Sequence, residues 1–228
     1  PAQLLIVPDH YVFRMLYSQG VRLEDLGVPS IDGTPVESDP RKIWSIFANN
    51  YHLFRGTPSR MWLDWVFAEV FGLTSRLEAE TANLYYDTID AALKSDAFRP
   101  RALFERFGIE LIATTESPAD PLKHHRAIRE SGWGGRVVTA YRPDPVMDPE
   151  HNGFANNLKR FAELAGEDIS TYAGYLRAHE NRRAYFREAG ATSTDHGHPS
   201  AFTADLSRAD AEALYAKVLA GPVSAAEA

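Results

Sequence analysis

An α/β fold, a parallel sheet or barrel wrapped by helices, is what this sequence predicts, and three observations carry the prediction. The first hundred residues read as helices throughout. From residue 109 the character changes to short β-branched, apolar runs: "IELIATT" (109–115), "RVVTAYR" (136–142) and "GATSTDH" (190–196). Helical patterns separate those runs, which is the arrangement of right-handed crossovers between parallel strands. Three strands do not close a barrel, which needs about eight, so the sheet is either open or part of something larger.

Taken in order, each element has its own local reason. Asp9 stands where a cap is needed for a helix opening at His10-Tyr11. In "RKIWSIFANNYHLF", Ile43, Ile46, Phe47 and Leu53 recur near helical spacing. "GTPSRMWLDWVFAEVFG" supplies Thr57 as cap, Pro58 at the first helical position and Gly72 as stop. "TSRLEAETANLYYDTIDAALKS" predicts one further helix with Leu77, Leu84, Ile89 and Leu93 on its face, capped by Thr74 or Ser75. After the first strand, "DPLKHHRAIRESGW" reads as a helix with Asp120 at the cap and Pro121 behind it. His124 and His125 are adjacent there and face different directions, one toward the surface and one packed. Helices at about 153–165 and 169–189 lead to the third strand.

The bulk properties bound what such a chain does. At 228 residues and 44% hydrophobic content it can bury a sizeable core, as one large domain or two small ones. A formal net charge of -7 and a pI near 5.6 argue against nucleic acid or an anionic membrane as partner, since both need a basic face. A few local arginines can still hold an anionic small molecule. Without cysteine there are neither disulfides nor thiolate metal sites, which fits a reducing cytoplasm. There is no run of about 18 apolar residues, and "PAQLLIVPDH" lacks a basic region and a cleavage signal. The expectation is a cytoplasmic protein with no nucleic-acid or membrane partner.

In parallel α/β folds, chemistry gathers at the carboxyl ends of strands. Here those ends read Thr114-Thr115-Glu116, Tyr141-Arg142-Pro143-Asp144 and Thr194-Asp195-His196-Gly197-His198. One rim would then present a carboxylate, a guanidinium, and a second carboxylate with imidazoles. Arg142 can clamp a substrate carboxylate, or simply pair with Asp144 or a helix C-terminus. Asp195 can line a pocket or cap the next turn by accepting backbone N–H groups. His196 and His198 form an H-x-H pattern that could hold a metal, although Gly197 and Pro199 break the strand it would need. In "NYHLFRGTPSR", His52, Arg55 and Arg60 either touch a ligand or hold two helices together. His10-Tyr11 pairs an acid–base imidazole with a phenol.

Five segments together resemble one family, the uronate isomerases of the amidohydrolase superfamily. They are "DHYVFRMLYSQGV", "NYHLFRGTPSRMWLDWVFAEVFG", "ATTESPADPLKHH", "GWGGRVVTAYRPD" and "GATSTDHGHPSA", in the family's order and spread over nearly the whole chain. The resemblance implies part of a distorted (β/α)8 TIM-type barrel with a helical insertion. Residues 1–19 would begin a barrel segment with the His–Tyr helix, 20–105 form the insertion, and 106–228 supply barrel βα units with strands near 109–115, 136–142 and 191–195. It implies reversible conversion of D-glucuronate to D-fructuronate, and of D-galacturonate to D-tagaturonate. His10 and Tyr11 match the family's His–Tyr pair, Arg142 the arginine of its F-R-P-D-like segment, and Asp195 the aspartate of its D-H-G segment.

The departures count as well. The family carries an H-x-H metal pair ahead of the His–Tyr helix, and a further histidine and arginine with an aspartate–arginine motif in later strands. None of these is in the sequence, so the chain is expected to be roughly the middle half of the enzyme. The resemblance implies a divalent metal such as zinc as cofactor, with no ligands in this chain, and His196-x-His198 matches a different place. It implies a uronate sugar as the small-molecule partner and leaves a homo-oligomer open.

Aldose–ketose interconversion moves a proton between C2 and C1 through an enediol, so it needs a base, a carbonyl polariser and anchors. The expectation is Arg142 as carboxylate anchor with His10 as a second substrate contact, and Tyr11 and Asp195 as the catalytic proton-handling groups. A phenol is a poor base near neutral pH unless a cation or metal lowers its pKa. Two other readings compete: a metal-dependent hydrolase of the same superfamily, and a helical interaction fragment without activity.

Overall fold

A computed structural model describes residues 1–30, 32–197, 203–221 and 223–224. The chain divides into two units, Pro1–Leu103 and Phe104–Ala228.

The first unit is helical because its apolar residues recur at helical spacing and its caps are in place. Helix α1 spans Ala2–Leu5 and α2 spans His10–Ser18, with the Asp9 carboxylate accepting the Tyr11 and Val12 N–H groups. Helix α3 (Pro40–Asn49) starts behind Asp39, and α4 (Pro58–Trp65) starts behind Thr57 with Pro58 at its first position. Helix α4 runs on into a π-helical turn, Val66–Val70, before Gly72 at φ +69° ends it. Helix α5 covers Ala82–Leu93.

Aromatic rings from α3 to α5 make the core of this unit. Trp44, Phe47, Tyr51, Phe54 and Phe67 are all fully buried and meet at centroid distances of 5.2 to 6.3 Å. The Trp44 indole N–H donates to Ala82 O at 2.9 Å, tying α3 to the start of α5. The Tyr51 phenol donates to Asp64, and Arg60 lies over the Tyr51 ring while bonding both Asp64 and Tyr51 O. In "NYHLFRGTPSR", then, Arg60 ties the turn before α4 to α4 itself; His52 and Arg55 stay exposed. Gly27 is needed for two reasons: its φ is +76°, and a Cβ there would lie 2.9 Å from Ile43 Cδ1.

One helical expectation fails here. The stretch 74–95 is not a single helix, because Thr74–Glu78 runs without one and α5 starts only at Ala82. The Thr81 hydroxyl bonds Arg76 O and takes the Glu78 N–H, so a local turn captures the groups a helix start at Thr74 or Ser75 would have used. Leu84 is accordingly 54% exposed, and Tyr85, Tyr86 and Ile89 form the buried face instead.

The second unit contains the sheet. Helix α6 (Pro100–Arg106) spans the division, and strand β1 (Leu111–Glu116) pairs in parallel with β2 (Arg136–Tyr141) across α7 (Lys123–Glu130). Then follow α8 (Asp144–Met147), α9 (Phe154–Ala165), α10 (Tyr172–Glu188) and α11 (Arg208–Ala220). The crossover helix α7 starts later than its sequence suggests. Asp120 accepts the Leu122 N–H in a local turn, and Leu122 itself occupies the cap position at φ +52°.

The third strand is corrected. Residues 190–196 are not a strand; Thr194 alone makes a parallel bridge, to Tyr141. Both hydrogen bonds of that bridge use Tyr141: its N–H donates to Ser193 O, and its O accepts from Asp195 N–H. Gly190 ahead of the bridge and Gly197 after it favour turns over extended pairing. Among the described residues the fold is thus mixed helix and strand with a two-stranded parallel sheet, and no closed barrel is formed by them. No helix among the described residues is long and apolar enough to cross a membrane.

Candidate active site

Strand alternation decides which side chains at the end of β2 can meet. The register from Leu111↔Arg136 to Glu116↔Tyr141 puts Thr114, Glu116, Thr139 and Tyr141 on one face. Helices cover that face: His125 of α7 lies 2.8 Å from the Thr114 hydroxyl, and His179 of α10 takes the Tyr141 phenol at 2.7 Å. As expected of adjacent helical histidines, His125 is packed and His124 exposed. The Glu116 carboxylate turns to the same side, accepting from the Thr139 hydroxyl and standing 3.7 Å from His125 Nε2. Glu116 and Arg142 stand at the same strand ends, as expected, but alternation sends their side chains to opposite faces.

Arg142 extends the strand by one residue, its N–H donating to Glu116 O at 3.0 Å, and falls on the other row. There its guanidinium meets two carboxylates. Nε lies 3.3 Å from Asp144 Oδ2, and Nη1 lies 3.3 Å from Asp195 Oδ2. The backbone clip between Tyr141 and Ser193–Asp195 brings the second carboxylate there. Asp144 opens α8 and also accepts the Gly197 N–H at 2.6 Å, which fastens the 193–197 segment from its far side. Burial raises the Asp144 carboxyl pKa, but the Gly197 N–H and Arg142 outweigh that and hold it below its ordinary value. Gly197 leaves room for the guanidinium, since a Cβ there would lie 2.5 Å from Arg142 Nη2.

Of the readings open for Arg142, the pairing with Asp144 is present, and the guanidinium reaches Asp195 as well. Exposed ion pairs of this kind contribute about 0–1 kcal/mol to stability. With Arg142 and Asp195 each more than two-fifths exposed, folding gains little from holding them so exactly placed.

The remaining candidates are placed as follows. His196 is exposed, and its Nε2 lies 3.2 Å from the Thr194 hydroxyl. His198 lies outside the described residues, so the H-x-H pattern has no described geometry. His10 and Tyr11 belong to the first unit, at the start of α2, exposed and with their rings 4.2 Å apart. The Tyr11 phenol has no hydrogen-bond partner among the described residues. Among those residues no group of three or more His, Asp or Glu side chains could hold a metal ion. The donors among the described residues do not by themselves fit a metal centre.

The sequence reading missed Tyr141 and His179. Tyr141 is fully buried, and burial pushes its phenol well above its ordinary pKa. Burial and the nearby Arg183 charge push His179 down to about 4, so the pair is neutral near pH 7. The available signal was a lone histidine in α10, seven residues before Phe186 and four after Tyr175, in line with an aromatic stripe.

Comparison with known proteins follows from this geometry. The sequence profile of the glucuronate isomerase family matches residues 2–227. A uronate isomerase of Sphingopyxis alaskensis is 64% identical over 231 residues, covering 100% of this chain and 48% of that protein. One from Phenylobacterium zucineum is 64% identical over 225 residues, with 99% and 47% covered. Among solved structures, a glucuronate isomerase from Caulobacter crescentus superposes with a TM-score of 0.92 at 56% identity, covering 99% of this chain and 47% of its own. A uronate isomerase from Thermotoga maritima gives a TM-score of 0.80 at 26% identity, with 96% and 47% covered. The chain spans about half the length of the curated relatives it matches.

Proposed function

The chain belongs to the glucuronate isomerase family, and from that membership we propose that the protein containing it interconverts D-glucuronate with D-fructuronate, and D-galacturonate with D-tagaturonate. One observation in the chain carries the reading best: the Arg142 guanidinium and the Asp195 carboxylate stand 3.3 Å apart at the carboxyl end of β2. A uronate is a carboxylate at neutral pH, and a planar guanidinium is the side chain that binds one in a fixed orientation. In the reaction a proton leaves C2 and one is delivered to C1 through an enediol. Arg142 anchors the sugar, and Asp195 beside it orients a hydroxyl or takes a proton. His10 is a second substrate contact and Tyr11 a proton donor or acceptor.

In this reading the sheet of the second unit is part of a (β/α)8 barrel, the helices of about 20–105 are an insertion, and residues 1–19 belong to a barrel segment. The resemblance to the two solved isomerases supports this. A divalent metal such as zinc would polarise substrate oxygens when bound; its ligands are proposed to lie outside this chain. A cytoplasmic location completes the proposal, with the oligomeric state left open.

The direct test is to incubate the complete protein with D-glucuronate and follow ketose formation by carbon NMR. D-fructuronate is the expected product, and intact D-glucuronate after many enzyme equivalents of time would refute the assignment. Tyr11→Phe is expected to lose turnover while glucuronate still binds, measured by kinetics alongside calorimetry. Full activity in that variant would make Tyr11 a packing residue.

A further inference from the structure

Asp195 handles a hydroxyl or a proton in the proposed reaction; the second carboxylate against Arg142, that of Asp144, has no such task. A second negative charge weakens the pull of a guanidinium on an anionic sugar. A site built only to attract a uronate would therefore leave Asp144 out. What the carboxylate does is join two segments of chain. Its Oδ2 lies 3.3 Å from Arg142 Nε, and its Oδ1 accepts the Gly197 N–H at 2.6 Å.

The base that presents this carboxylate is stiff. Asp144 lies between Pro143 and Pro145, whose rings fix their own φ angles. The Val146 N–H closes the turn on Pro143 O at 2.9 Å, and Val146 is fully buried. Neighbouring helices then hold the carbonyls of the turn: Asn157 of α9 donates to Pro145 O at 3.1 Å, and Tyr175 of α10 to Val146 O at 2.9 Å. None of these bonds uses the Asp144 side chain. The segment it grips is the opposite case, with Ser193, Thr194, His196 and Gly197 all exposed. Tyr141 bonds Ser193 O and the Asp195 N–H, and Asp144 takes the Gly197 N–H two residues further on. Without that bond, the backbone after Asp195 loses its tie to the turn that follows β2.

We propose that Asp144 is a positioning residue of the isomerisation site: one oxygen fixes the place of Asp195 by way of the Gly197 N–H, and the other steadies the Arg142 guanidinium. This rests on the assignment of Arg142 and Asp195 to the handling of a uronate. Asp144 itself transfers no proton and touches no substrate atom. A group that moves a proton has to stay within hydrogen-bond reach of the reacting atom, and a misplacement of about 1 Å can cost about a hundredfold in rate. Contacts so near the surface add little to folding, so their value lies in placement.

The test compares Asp144→Ala and Asp144→Asn with the parent, in the complete protein, by kinetics on D-glucuronate and by hydrogen exchange over residues 193–197. Alanine removes both contacts, so kcat is expected to fall at least about tenfold. Exchange over 193–197 is expected to quicken at least about fivefold in the same variant. Asparagine keeps an acceptor oxygen for the Gly197 N–H, so exchange should stay slow and kcat should recover to within about threefold of the parent. An alanine variant with kcat within about twofold of the parent, or with unchanged exchange, overturns the proposal. Equal losses of kcat in both variants overturn it too, because they assign the effect to charge. So does a lowered thermal midpoint with faster exchange throughout the second unit, which is a loss of fold. A parent inactive on D-glucuronate is a distinct result: it refutes the isomerase assignment, while the exchange comparison still reads the contact between Asp144 and Gly197.

Discussion

Arg142→Met in the complete protein is expected to lower kcat/KM for D-glucuronate by at least about tenfold, equivalent to about 1.4 kcal/mol of transition-state stabilisation. Two effects add. The substrate loses its bidentate partner, and Asp144 and Asp195 are left facing it without the cation that stood 3.3 Å from each. Methionine keeps most of the aliphatic stem, so lost packing contributes little. Since the side chain is 42% exposed, the thermal midpoint should hardly move. Steady-state kinetics with D-glucuronate and a parallel melting curve check both parts. Turnover within twofold of the parent would remove Arg142 from the site.

Trp44→Ala is expected to cost about 3–5 kcal/mol of stability, the usual range for deleting a buried aromatic. Trp44 is 1% exposed and packs on Phe47, Phe67 and Tyr86 with centroids 5.5 to 6.4 Å away. Its removal opens a cavity between α3 and α5 and also leaves Ala82 O without its indole donor. Trp44→Phe separates these contributions, because it keeps a ring and loses the hydrogen bond, worth about 0.5–1.5 kcal/mol. Urea unfolding followed by circular dichroism should show a lower midpoint with an unchanged slope. A midpoint equal to the parent's would mean that the aromatic cluster is not what holds the first unit.

Much of this architecture was legible in the sequence, for reasons that are local. Asp9 and Thr57 are small polar acceptors immediately before apolar periodic runs, so the starts of α2 and α4 could be read directly. The two strands are short runs in which half the residues are β-branched. What misled was competition between local and non-local partners. Thr81 draws the backbone before α5 into a turn, which periodicity at Leu77 and Leu84 does not reveal. "GATSTDH" has strand-like residues, but only Thr194 finds a neighbour to pair with. Of the candidate site, the closeness of Arg142 and Asp195 was legible from the end of β2 and from a run expected to lie beside it, although that run makes a single bridge and not a strand. The facing of Glu116 was not, because it depends on a register that a single sequence does not state. Tyr141 and His179 stayed hidden because their bond joins residues 38 positions apart.

The charges around Arg142 have one more consequence. One guanidinium stands against two carboxylates, so by formal charge the cluster sums to minus one, and the Asp144 carboxyl is held below its ordinary pKa. An arriving sugar acid would raise that to minus two, a repulsion that solvent softens at these part-exposed side chains. A cation brought to the cluster by the part of the protein beyond this chain would offset that charge and tighten the hold on a hexuronate.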